Sequence, residues 1–180
     1  MGNLKQLIII LDSSTGKKNG ETLGPSSCYW EVYVYIPSKD RHPTSSQLTE
    51  NLRYQSAILM EATGDQPIRS GFIYNNYDTP TKMFYDGIVR ALEACFYLLK
   101  KYDIKQTVVL GDCKVVIDQI NGVGYKPKSK SIVALYNQVH HQVSDYKNIS
   151  FKHINKSDYP LYKKIDSFAK EARGLMQMLE

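Results

Sequence analysis

The hydrophobic positions of the N-terminal third follow the period of β-strands. Gln6–Leu11 is rich in Ile and Leu and is typical of a buried strand. Residues 28–36 alternate, so that Trp30 and three aliphatic side chains share one face, while Glu31 and three tyrosines share the other. Residues 57–62 and 68–74 are two further short strand candidates joined by a turn.

The period then changes to that of a helix. Thr81–Lys101 carries one apolar stripe and predicts a long helix. Residues 107–112 are composed like a buried strand, and residues 113–120 predict a short helix that ends at Asn121 and Gly122. The remaining predicted elements are a helix, a strand and a closing helix: Ser131–Tyr146, 148–154 and Ile165–Leu179.

This order of elements predicts an α/β fold whose sheet begins antiparallel and continues with parallel strands. The 180 residues suit one domain, 1–180, and the polar stretch at about 37–56 is predicted to be an insertion within it. In such sheets, functional residues gather where the strands end.

The composition restricts the expected cellular location and the expected partners of the protein. No apolar run approaches the roughly 18–20 residues that span a bilayer, so no membrane partner is expected. The three cysteines form no CxxC pair, which favours a reducing, intracellular and cytoplasmic location over a disulfide framework. The formal charge of +5 permits a polyanionic partner without requiring one.

Three carboxylates stand at the ends of predicted elements. Asp12 ends the first strand, Asp112 ends the strand 107–112, and Asp166 lies at the start of the last predicted helix. Asp112 also fits a helix N-cap, and Asp166 fits a first-turn carboxylate. If the three converge, a cation must offset their repulsion, and hard divalent ions prefer such oxygen ligands. Two such ions can activate water and stabilise the leaving oxygen of a phosphodiester.

The block "VVLGDCKVVIDQINGVGYKPKSKSIVALYNQVHHQV", followed by "ISFKHI" and "IDSFAKEA", resembles ribonuclease H of type 1. The resemblance runs from about residue 68 to residue 173. Before that range, "LIIILDSSTG" resembles the first strand of the family. It implies a three-layer fold with a five-stranded mixed sheet and flanking helices. It also implies an enzyme that cuts the RNA strand of an RNA–DNA hybrid. Such an enzyme uses Mg²⁺ or Mn²⁺ held by an Asp-Glu-Asp-Asp set. Asp12, Asp112 and Asp166 match the three aspartates, and His153 matches the mobile histidine.

Two positions depart from that family pattern. Aligned on "ALEAC", the position of the family's glutamate falls on Phe84, which cannot bind a metal. Asp86 is the candidate substitute ligand, although it lies roughly 200° around the helix and should point away from the sheet. Glu31 and Glu61 are weaker candidates. His153 precedes Asp166 by thirteen positions, longer than the family's spacing, and Tyr162 stands where an asparagine is frequent.

Basic and amide residues suggest contacts with nucleic acid. Lys126, Lys128 and Lys130 alternate in one loop and suit phosphate contacts, which Lys17, Lys18, Arg69 and Lys152 could extend. Asn75, Asn76 and Gln119 could bond to 2′-hydroxyls or minor-groove edges. The expected partner is an RNA–DNA hybrid or double-stranded RNA.

Four functions remain open from the sequence. The first is a nucleic-acid-binding domain with a degraded metal site and weak or lost hydrolysis, in which no metal is needed. The second is an active ribonuclease H-type endonuclease with a substitute ligand and Mg²⁺ or Mn²⁺. The third treats "DSSTG" as the phosphate loop of sugar kinases and actin, an architecture that needs two such domains. The fourth is a protein-interaction domain that uses the Tyr-rich strand and the insertion.

Overall fold

Five strands form one mixed sheet at the centre of the protein. The computed structural model describes residues 5–16, 25–35, 67–77, 79–146, 148–158 and 160–179. The strands lie in the order β3-β2-β1-β4-β5, in which β2 is antiparallel to β1 and β3, while β4 is parallel to β1 and β5. Their bounds are β1 Gln6–Thr15, β2 Ser26–Tyr35, β3 Arg69–Asn75, β4 Gln106–Gly111 and β5 Ile149–His153. The predicted mixed sheet with an antiparallel start is confirmed.

Helices cover both faces of this sheet. Within the described residues they are α1 Pro80–Lys101, α2 Lys114–Ile120, α3 Lys130–Asp145 and α4 Pro160–Leu179, with a 3-10 turn at Lys156–Asp158. The larger core lies between the sheet and α1, α2 and α3, and it takes Leu7, Ile9 and Leu11 from β1. The smaller core lies beneath α4 and takes Ile8 and Ile10. Burial on both faces explains why residues 7–11 of β1 are continuously apolar.

The tyrosine face of β2 is an interior face. Tyr33 and Tyr35 are buried in the core beneath α4, and the Tyr29 ring packs on Phe168 with ring centroids 5.1 Å apart. Glu31 is buried in the same layer, where the hydroxyls of Tyr29 and Tyr33 donate to it. The prediction that this strand offers a surface for a protein partner is therefore wrong, because α4 already covers it.

Two elements are longer than predicted. β1 continues past Leu11 to Thr15, because its last residues pair with the start of β2. α4 begins at Pro160 rather than Ile165, since Tyr162, Ile165, Ala169 and Ala172 form one buried helical stripe.

Several predictions lie outside the described residues: the insertion at 37–56, the strand at 57–62, Lys17, Lys18 and Glu61. No helix in the described part of the chain is long and apolar enough to cross a membrane.

Candidate functional site

The sheet topology brings the three aspartates to one edge. The paired part of β1 and β4 ends at Ile10 and Leu110, and because the strands are parallel, Asp12 and Asp112 follow at the same end. Asp12 shares the strand face of Ile8 and Ile10, which α4 covers. Asp166 projects from α4 toward the same point, as its contacts show.

The ammonium group of Lys156 joins the three carboxylates. Lys156 Nζ lies 3.2 Å from Asp12 Oδ2, 3.2 Å from Asp112 Oδ2 and 2.8 Å from Asp166 Oδ1. The Asp12 and Asp112 oxygens share this partner at 3.2 Å each and therefore lie close together. Lys156 comes from the 3-10 turn between β5 and α4. We call Asp12, Asp112, Asp166 and Lys156 the acidic cluster.

Burial and charge perturb the pKa values of this cluster. Burial, followed by the negative charge of Asp112, raises the pKa of Asp12 to about 7, although Lys156 opposes the shift. Burial alone would raise the pKa of Asp166, but hydrogen bonds from Lys156 and Lys170 outweigh it and lower that pKa to about 2. Burial would lower the pKa of Lys156, but its acidic neighbours raise it above the usual range. The ion pairs therefore keep Asp166 and Lys156 charged.

Tyr162 anchors the backbone on which the cluster is built. Its buried hydroxyl lies 2.8 Å from the Leu11 carbonyl oxygen and 2.9 Å from Asp112 Oδ1, and it accepts the Asp112 N–H at 3.1 Å. One hydroxyl thus connects the ends of β1 and β4 to α4. Burial raises the pKa of Tyr162 well above its usual range, which keeps this hydroxyl protonated.

A hydrocarbon surface lies beside the cluster. Phe84, in the first turns of α1, is 0% exposed, and its ring packs against the backbone of Gly111 immediately before Asp112. A Cβ atom on Gly111 would overlap the ring, so the close approach requires glycine. Phe84 therefore places a hydrocarbon ring next to the residue before Asp112, and this ring cannot bind a metal ion.

Asp86 is held elsewhere. It is 6% exposed, accepts a hydrogen bond from the Tyr77 hydroxyl at 2.9 Å and lies 3.4 Å from Arg90 Nε. The expectation that Asp86 points away from the sheet missed its burial. The wheel projection fails because α1 is buried all round here, from Met83 to Val89.

Glu31 is also occupied by other partners. Its carboxylate is buried beneath α4, where it pairs with Lys164 at 3.0 Å in addition to its two tyrosines. The structure therefore brings neither Asp86 nor Glu31 into the acidic cluster.

The simpler explanations for the aspartates are wrong. The N-cap of α2 is Cys113, not Asp112, and that cap makes no side-chain hydrogen bond. Asp166 lies beyond the first turn of α4, because the helix begins at Pro160.

His153 ends β5 and lies against the cluster. Its Nε2 is 3.1 Å from the Asp112 carbonyl oxygen, and its role stays a prediction. Among the described residues, no group of three or more His, Cys, Asp or Glu side chains is arranged to hold a metal ion.

The predicted nucleic-acid residues flank the start of α1. Asn75 and Asn76 are exposed where β3 ends, and Gln119 on α2 accepts a hydrogen bond from the Tyr85 hydroxyl at 2.8 Å. The basic loop follows α2 and exposes its lysines: Lys126, Lys128 and Lys130.

Sequence reasoning missed two residues. Tyr125 is 87% exposed at the start of the basic loop, where its ring could stack on a base. Lys156 was missed because no motif marks it. The one available signal was the long spacing between His153 and Asp166, which makes room for the 3-10 turn.

A family model described as Reverse transcriptase-like matches residues 68–171, more than half of the chain. No curated protein sequence matches the chain.

The fold is similar to that of solved ribonucleases H1. The LC11-RNase H1 isolated from compost shares 17% identity at a TM-score of 0.66, with 96% of this chain and 98% of that chain covered. The same protein in complex with an RNA/DNA hybrid gives 17% identity and a TM-score of 0.65, covering 95% and 99%. RNase H1 from Halobacterium salinarum NRC-1 gives 15% identity and a TM-score of 0.61, covering 93% and 96%. These similarities show a ribonuclease H-like fold.

Proposed function

Because the chain belongs to the reverse transcriptase-like family, we propose that it binds an RNA–DNA hybrid or double-stranded RNA and hydrolyses it weakly or not at all. The observation that carries the binding is the basic loop between α2 and α3, whose three lysines are all exposed. A similar fold, that of LC11-RNase H1, has been solved with an RNA/DNA hybrid.

Binding would combine charge with contacts to the sugar edge. Lys126, Lys128 and Lys130 supply cations for phosphates, and none of the three has an ion pair among the described residues. Asn75 and Asn76 supply exposed amides that can bond to 2′-hydroxyls, the groups that distinguish RNA from DNA. Preference for an RNA-containing duplex follows from these amides rather than from the lysines.

Hydrolysis is proposed to be weak or lost because the resemblance to ribonuclease H aligns the position of the family's glutamate with Phe84. A two-metal mechanism needs oxygen ligands on both sides of the ions. Here α1 offers a buried phenyl ring, and Asp86 is bound by Tyr77 and Arg90. The side chains present therefore do not fit two divalent ions in this arrangement.

Fluorescence anisotropy of a labelled hybrid in EDTA tests the binding. The variant with Lys126, Lys128 and Lys130 all changed to Ala should weaken binding at least about tenfold and lower the slope of log K against log salt by roughly two to three. The matched control changes Lys100, Lys101 and Lys105 to Ala, which removes the same charge beyond the opposite ends of β1 and β4.

The control should leave the salt slope nearly unchanged. Equal losses in the two triple variants would show a diffuse charge effect and contradict the assigned surface. Unlabelled RNA–DNA hybrid and double-stranded RNA should compete better than a DNA duplex of equal length, and the reverse order would contradict the amide contacts.

A further inference from the structure

The acidic cluster is organised around a nitrogen atom. All three of its carboxylates place an oxygen 2.8–3.2 Å from Lys156 Nζ, within the range of N–H···O distances, and the contact with Asp166 at 2.8 Å is a hydrogen bond. Magnesium–oxygen bonds are about 2.0–2.1 Å long, so a metal at the same point would require the three carboxylates to close in. The cluster as it stands has the dimensions of an ammonium site.

Lys156 differs from the other lysine at this site. Among the described residues, Lys170 forms an ion pair with Asp166 alone, at 2.7 Å from Oδ2, and its side chain is 58% exposed. Lys156 contacts all three acids from a 3-10 turn fixed between β5 and α4, and its ammonium lies 5.9 Å from the centre of the Tyr162 ring. Lys156, whose side chain is 43% exposed, therefore differs from Lys170 mainly in the number of carboxylates that its ammonium group contacts.

Asp12 depends on that ammonium. Its Oδ2 is buried and accepts no hydrogen bond from the described part of the protein, while Lys156 Nζ lies 3.2 Å away. A buried carboxylate oxygen without a hydrogen bond is unfavourable unless a charge compensates it. Within the described residues, Lys156 is the cation that the ion pairs assign to Asp12 and to Asp112.

We propose that Lys156 is a tethered cation that takes the place of a divalent metal ion and holds the acidic cluster together without one. This inference deepens the proposed loss of hydrolysis and rests on that part of the proposed function. It predicts that the wild-type protein has little affinity for Mn²⁺, and that removal of a single ammonium group exposes a metal site.

Titration calorimetry with Mn²⁺ alone at pH 7.5 tests the proposal on three proteins: wild type, Lys156→Met and Lys170→Met. Lys156→Met should bind about one Mn²⁺ at least tenfold more tightly than wild type, because like-charge repulsion is removed and three carboxylates become available. Lys170→Met removes a cation from Asp166 but leaves Lys156 in place, so its affinity should stay close to that of wild type.

Thermal unfolding gives an independent readout. In EDTA, Lys156→Met should unfold on the order of 5 °C below wild type, because three acids lose their common partner. Millimolar Mn²⁺ should recover much of that loss in Lys156→Met and should shift the wild type little. Adding Asp112→Asn to Lys156→Met should abolish the Mn²⁺ response.

Two results would overturn the proposal. One is tight Mn²⁺ binding by wild type that Asp112→Asn removes. The other is a folded Lys156→Met protein that binds Mn²⁺ no better than wild type. If Lys156→Met does not fold, the Mn²⁺ titration of the wild type still tests the proposal, because tight binding that Asp112→Asn removes would contradict it. No nucleic acid is present, so failure of hybrid binding and failure of this inference are separable.

Discussion

The Tyr162 hydroxyl offers a direct test of how the site is held in place. Tyr162→Phe keeps the ring and removes only the oxygen that serves Leu11 and Asp112. The Leu11 carbonyl group and the Asp112 N–H then lose this partner at the ends of β1 and β4. A buried polar group left unsatisfied costs about 1–3 kcal/mol, so the two together should cost about 2–6 kcal/mol of unfolding free energy.

Urea denaturation and thermal melting measure this cost. For a protein of this size, each kcal/mol corresponds to about 2–4 °C, so Tm should fall by roughly 5–20 °C. The matched control is Tyr125→Phe, in which the hydroxyl belongs to a side chain that is 87% exposed, and it should change stability by less than about 0.5 kcal/mol. A Tyr162→Phe protein as stable as this control would refute the anchoring role.

Two further predictions concern the same end of the sheet. Because burial and the charge of Asp112 raise the pKa of Asp12 to about 7, the folded state binds a proton more tightly than the unfolded chain between about pH 4 and 7. Relative to Asp12→Asn, the wild type should therefore lose up to about 4 kcal/mol of unfolding free energy as pH rises through that window. Urea titrations at stepped pH measure this loss. A difference in unfolding free energy between the two proteins that stays constant with pH would contradict the raised pKa of Asp12. Gly111→Ala should lower the free energy of unfolding by about 1–3 kcal/mol, because the new Cβ meets the Phe84 ring. Gly174→Ala, in open space on a helix, should raise the free energy of unfolding by about 0.5–1 kcal/mol. Equal urea midpoints for the two alanine variants would contradict the close packing at Gly111.

Much of the fold could be predicted because its signals are local. The alternation of β2 separates the face of Trp30 and Val32 from the face of Tyr33, and the structure places these faces in different cores. The apolar stripe of α1 likewise predicts which residues pack inward. The late start assigned to α4 was an error because "YPLYKK" is polar in composition, although Tyr162 already belongs to its buried stripe.

The site was predictable only in part, because it depends on contacts across long sequence separations. Parallel pairing of β1 with β4 is enough to bring Asp12 and Asp112 together. Both residues were predicted as site residues because each lies at the end of a predicted strand. The approach of Lys156 depends on the path of a 3-10 turn, which no residue pattern specifies. Asp86 shows the opposite failure, since a helical projection cannot report that every face at the start of α1 is covered.

The central claim is that this domain binds an RNA–DNA hybrid and hydrolyses it weakly or not at all. It is tested most directly by incubating a hybrid, labelled on its RNA strand, with wild type and Asp112→Asn in Mg²⁺, in Mn²⁺ and in EDTA. We expect the hybrid to be bound and most of its RNA strand to stay full length in all six mixtures. Extensive cleavage of the RNA strand by wild type in either metal, absent with EDTA and with Asp112→Asn, would contradict this expectation.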